Sequence, residues 1–116
     1  MFTKNDSLLA SNFINLSKNE QDEMILIIRG KNKKQAETAK ELLISRLQPL
    51  IDSEISSYNS YRVSDDVLSK ISKKGILKAL ETYNTSKKYR FSVYASWFIR
   101  AEIHKFLGLP IDPEKV

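Results

Sequence analysis

A chain of 116 residues without cysteine has room for one small domain, but for neither a disulfide framework nor a cysteine-ligated zinc site. No apolar run approaches the roughly 18 residues of a membrane-crossing helix, so no membrane span is expected. The net charge of +5 is unevenly placed: residues 1–60 hold eight Lys/Arg and eight Asp/Glu, whereas residues 61–108 hold ten against four, an excess that suits a polyanion partner as well as it suits simple solubility.

Residues 1–15 read as a flexible leader, too polar and too broken for a secretory signal, so a cytoplasmic location is the default expectation. Ser17 with Glu20 three residues later has capping-box spacing and predicts a helix to Arg29 that stops at Gly30. Its run from Met24 to Ile28 is apolar on nearly every side and is expected in the core. A second helix should start near Lys33 or Lys34. Ala36, Ala39, Leu43, Leu47, Leu50 and Ile55 share its stripe, and Pro49 predicts a kink or a break. Residues 56–62 read as a connection. Ser64 and Asp65 cap a third helix to about Tyr83, with Leu68, Ile71, Leu77, Leu80 and Tyr83 as its expected buried side. Gly75 inside it costs about 1 kcal/mol against Ala, which a close helix crossing would explain. After a turn at Asn84, Thr85 and Ser86, a fourth helix runs from about Ser92 to Leu107 and ends at Gly108 and Pro110. The pattern predicts an all-α fold, a small bundle of about four helices over residues 16–108, followed by a tail over 109–116.

The last helix has two distinct faces. Ala95, Ile99, Ile103 and Phe106 form one apolar side, expected in the core. Tyr94, Trp97, Ala101 and His104 form another, with Phe98 and Lys105 at its edge. An aromatic pair on a non-core face, just after Lys87, Lys88 and Arg90, suits a surface that stacks bases beside phosphates. Packing in the core or against a neighbouring protein is the plainer reading of Tyr94 and Trp97, and the adjoining basic turn weighs against it. His104 is the single histidine, so a histidine metal cluster is excluded and no base-orienter pair for catalysis is visible. Asp65 and Asp66 are most economically a helix start, and Lys73 and Lys74 a solvated face. No phosphate-binding glycine loop, nucleophile motif or metal-ligand spacing appears, so neither an enzyme nor a cofactor is expected.

The segment GILKALETYNTSKKYRFSVYASWFIRAEIHKFL, residues 75–107, resembles region 2 of the bacterial sigma factors. There a glycine-led helix ends in an aromatic, a short basic turn follows, and the next helix opens with F-S-x-Y-A. The ending W-F-I-R-A-E-I-H is most similar to the heat-shock type of these factors. Upstream, LLISRLQPLIDSEISSY resembles the first helix of region 2, and LSKNEQDEMILIIRGKNKKQAETAKELL resembles region 1.2. The resemblance implies a helical bundle that binds the RNA polymerase core and captures one strand of a melted −10-like promoter element. By position, Phe91 and Tyr94 would wall the pocket for a flipped adenine, and Trp97 with Phe98 would wedge against the duplex edge. Lys87, Lys88, Arg90, Arg100 and Lys105 would hold phosphates, while Ala101 and His104 would sit where the family reads the upstream duplex.

Three departures qualify this. The family's acid-Leu-Ile-Gln-Glu run, which docks on a coiled coil of the polymerase, is replaced by Val67, Leu68, Ser69, Lys70 and Ile71, with Asp65 and Asp66 just ahead. A lysine in place of an acceptor should weaken a charge-paired contact. Nothing resembling region 3 or region 4 is present, so −35 recognition is expected from a second sigma-like polypeptide. Val93 replaces a common Thr. A split factor, a reduced factor from a phage or mobile element, and a fragment all fit. The rival expectation is a regulator that kept the sigma fold and binds polymerase or another sigma factor without reading DNA. A nonspecific single-strand binder is a third.

Overall fold

The computed structural model describes residues 13–111. After a 3₁₀ turn at Phe13–Asn15 come α1 (Lys18–Ile28), α2 (Lys33–Arg46), α3 (Gln48–Ser56), a second 3₁₀ turn at Asn59–Tyr61, α4 (Asp65–Thr82) and α5 (Phe91–Leu107). The fold is an all-helical bundle with no strand among the described residues. None of these helices is long and apolar enough to cross a membrane.

Local chemistry sets the boundaries. The Ser17 side chain accepts from the Glu20 N–H while Glu20 reaches back to the Ser17 N–H, completing the capping box of α1. Asn32 caps α2 and Ser64 caps α4. Pro49 falls in the first turn of a new helix, where its missing N–H costs nothing, so α2 and α3 are separate elements joined at Leu47. This break turns about four helices into five. At the far end Gly108 (φ 72°) closes α5, with the Gly108 N–H on the Lys105 carbonyl and the Leu109 N–H on the His104 carbonyl, a Schellman motif.

The core comprises Met24 and Ile25 of α1, Leu43 of α2, Ile51 and Ile55 of α3, Leu68, Ile76 and Ala79 of α4, and Phe91, Ala95, Ile99 and Ile103 of α5. α4 and α5 form the tightest pair. A Cβ on Gly75 would meet the Phe98 carbonyl oxygen at 2.9 Å and the Ile99 nitrogen at 3.0 Å, so the two backbones touch there. The centre of this crossing is made of small residues, with Ser72, Gly75 and Ala79 all buried.

Several expectations need correction. Phe13, placed in the leader, is buried and sits edge-on to Phe91. Leu109, placed in the tail, packs against the core. Residues 1–12 and 112–116 lie outside the described residues. On α4, Leu77 is exposed and Ile71 only half-buried, because the small-residue crossing rotates Ser72, Ile76 and Ala79 inward. In α1, Leu26 points outward while Met24 and Ile25 are buried. Phe106 shares the buried face of α5 by angle but is 55% exposed, since the last turn runs past the side chains that cover the earlier ones.

Candidate nucleic-acid interface

The α4–α5 connection carries the basic turn, and α1 braces it along its whole length. Arg90, the N-cap of α5, makes no side-chain cap. Gln21 of α1 does this from across the chain: its amide oxygen accepts the Ser92 N–H at 2.9 Å. The Gln21 amide nitrogen faces the carbonyls of Phe13 and Leu16 and the Ser92 hydroxyl at 3.0–3.2 Å. At the other end of α1, Arg29 donates to the carbonyls of Leu80 and Tyr83, the orphan acceptors of the α4 C-terminus. Between them Tyr83 points its hydroxyl at Asp22 (2.7 Å) and at the Tyr89 carbonyl (3.0 Å). Lys18 bridges Asp22 (2.5 Å) and the Thr85 carbonyl (2.7 Å). Burial, then the hydrogen bond to Asp22, push the Tyr83 hydroxyl well above its ordinary value, so it stays protonated as a donor.

On this braced turn stands a continuous aromatic wall. Tyr89 and Tyr94 are stacked, with planes 3° apart and centroids 5.4 Å apart. Trp97 lies edge-on to Tyr89 at 5.2 Å and to Tyr94 at 6.1 Å. Phe98 continues the wall at 5.0 Å from Tyr94, and the Tyr94 hydroxyl is 2.8 Å from that of Thr82. All four rings are half-buried. Lys87, Lys88, Arg90 and Lys105 are exposed, with Arg90 also reaching the carbonyls of Ile14 and Leu16 at 3.4 Å. The wall thus sets half-buried aromatic rings beside exposed cations, a combination suited to single-stranded nucleic acid.

Not every residue assigned to this surface is available to it. Phe91 is fully buried between Phe13 and Tyr83, both edge-on, so it supports the wall from beneath and offers no face to a base. Arg100 is held by the carboxylate of Glu54, which offsets its charge and raises its pKa further. His104 is occupied at both nitrogens, Nδ1 by the Pro110 carbonyl at 2.7 Å and Nε2 by the Tyr58 hydroxyl at 2.8 Å. A carbonyl only accepts, so Nδ1 donates to Pro110, while Nε2 is engaged by the Tyr58 hydroxyl. No nitrogen is left to read a base edge. Ala101 is half-buried and supplies only a methyl.

The residues assigned to polymerase docking divide in the same way. Asp65, Asp66 and Lys70 are exposed on the first turns of α4, and Val67 is partly so. Leu68 is buried and Ile71 packs against the core, so neither is free to dock. Two features escaped the sequence reading. Tyr89 lies between the basic residues and ahead of the helix, where helical spacing says nothing about which way it faces. The Asp22–Tyr83 hydrogen bond joins residues 61 apart, and no local pattern announces such a pair. Comparison with family models, curated proteins and solved structures returned no match for this chain.

Proposed function

We propose that this bundle is a sigma region 2-like module of transcription initiation, which binds the RNA polymerase core and captures the melted non-template strand of an AT-rich, −10-like element. Another polypeptide would supply −35 recognition. The observation that carries this reading is the wall of Tyr89, Tyr94, Trp97 and Phe98 beside Lys87, Lys88 and Arg90, on α5 and the α1-braced turn that leads into it. Each base that leaves a duplex stack needs a replacement π-face worth about 1–3 kcal/mol. Half-buried rings provide it without first having to be ordered. Asp65, Asp66, Val67 and Lys70 are the exposed part of the face assigned to polymerase.

Two measurements test this reading. Tagged protein isolated from its native cells should bring down core polymerase subunits, identified by mass spectrometry; their absence would sink the initiation role. In transcription with purified polymerase, Tyr94→Ala and Trp97→Ala should each abolish promoter opening while polymerase binding persists.

The occupied states of Arg100 and His104 favour a second reading, a sigma-fold regulator that binds polymerase or another sigma factor without touching promoter DNA. It predicts that both aromatic variants leave function intact.

A further inference from the structure

We infer that the outward face of α4 is a docking strip for an acidic amphipathic helix. This rests on the polymerase reading above, which sets Val67 and Lys70 against the polymerase core, and it gives the chemistry of the element that seats there. At about 100° per residue, Val67, Lys70, Lys74 and Leu77 fall within about 80° of one another around α4. Leu68, Ser72, Ile76 and Ala79, which pack into the bundle, lie on the opposite side. The strip is open along its length: Val67 is 38% and Leu77 40% exposed, and Lys70, Lys73 and Lys74 are exposed with them. At about 1.5 Å per residue, Val67 to Leu77 spans about 15 Å, room for nearly three turns of a partner helix.

Charge and apolar pattern together set the partner's chemistry. Lys78, one turn beyond Lys74, is already engaged by Glu102 of α5. Lys70, Lys73 and Lys74 meet no carboxylate among the described residues. The acids of α4 stand at its ends, Asp65 and Asp66 in the first turn and Glu81 in the last, so the strip is positive in the middle and negative at both ends. A nucleic-acid backbone, negative throughout, would meet repulsion at those ends and gain nothing from Val67 and Leu77. A helix with carboxylates three or four residues apart matches Lys70 and Lys74, which have the same spacing. Aliphatic side chains beside those carboxylates would cover Val67 and Leu77. Lys70 thus keeps a charge-paired contact with its sign reversed: the acceptor comes from the partner.

The test is binding of the full chain to purified core polymerase from its native cells. If the wild type does not bind, the polymerase reading fails and the strip falls with it. Given binding, the double variant Lys70→Glu, Lys74→Glu should weaken it roughly tenfold or more, and Leu77→Ala about threefold, with the unfolding midpoint retained. Lys33→Glu, Lys34→Glu makes the same charge change on exposed lysines of α2 and should stay within about twofold of the wild type. Carbodiimide coupling, which joins an amine directly to a carboxylate, should link Lys70 or Lys74 to acids three or four residues apart in one polymerase helix. Full binding by the α4 double variant, an equal loss in the α2 variant, or coupling confined to other lysines would overturn the strip and leave polymerase binding standing. So would a loss of single-strand DNA affinity in the α4 variant alone with polymerase binding unchanged, which would give these lysines to phosphates.

Discussion

The Arg100 guanidinium meets the Glu54 carboxylate through two parallel hydrogen bonds, Nε to Oε2 at 2.8 Å and Nη2 to Oε1 at 2.9 Å. The pair links α5 to α3 and turns a cation of α5 into a neutral fork. With Arg100 half-exposed, its contribution to stability is about 1 kcal/mol or less.

Glu54→Gln should therefore act mainly on binding. It keeps the shape, removes one negative charge and frees Arg100. Affinity for an AT-rich single strand should rise about two- to fivefold at low salt, and the gain should fade at high salt. Anisotropy titrations at two salt concentrations would show it. No change at either would place Arg100 away from the strand's path.

The exposed cations of the basic turn should set the salt dependence. Each phosphate contact on a single strand contributes about 0.7 to the slope of log affinity against log salt. The double variant Lys87→Gln, Lys88→Gln should flatten that slope by about 1.4, with no preference for sequence. An unchanged slope would remove this turn from the interface.

Gly75→Ala should destabilise the protein even though Ala is the better helix former by about 1 kcal/mol. The new methyl would meet backbone atoms of Phe98 and Ile99 at 2.9–3.0 Å, and backbone does not swing aside as a side-chain end does. A net loss of about 1–3 kcal/mol in urea unfolding is expected. A gain in stability would show that α4 and α5 can separate freely.

Tyr83→Phe should leave the core filled but release Asp22 and the Tyr89 carbonyl, at a cost of about 1–2 kcal/mol. The same hydroxyl makes a signed prediction about pH. Its folded pKa is raised above the ordinary 10.0, first by burial and then by Asp22. Its stabilising share is therefore complete below about pH 10 and declines as pH climbs from there towards the folded value. The wild type should lose stability on that alkaline limb, and Tyr83→Phe should lose less. Parallel curves for the two proteins would contradict the assignment.

Much of the backbone was legible because its signals are local. The capping box at Ser17, the stop at Gly30, the break at Pro49, the cap at Ser64 and the left-handed Gly108 depend on neighbours within a few residues. The burial of Ala95, Ile99 and Ile103 followed from helical periodicity alone. The inner face of α4 did not, because its centre is Ser72, Gly75 and Ala79, and small residues at a tight crossing leave no hydrophobic stripe to read. The aromatic wall was half legible: Tyr94, Trp97 and Phe98 lie on the helix, where spacing places them. Phe91 is equally on the helix, but its burial depends on Phe13, nearly eighty residues earlier. The partners of Arg100 and His104 were not legible, because Glu54, Tyr58 and Pro110 reach them from outside their own helix.

The cap that Gln21 places on Ser92 spans 71 residues of sequence, and this gives the fold a temporal order. α5 does not cap its own first turn, since its N-cap residue supplies no side-chain acceptor. Until α1 has docked, the Ser92 N–H lacks its side-chain acceptor and the first turn of α5, which leads into the rings, is the more prone to fray. Closing so long a loop is a slow, late step compared with forming either helix. The aromatic wall should therefore be the last part of the molecule to mature, and the first to loosen whenever α1 lifts away.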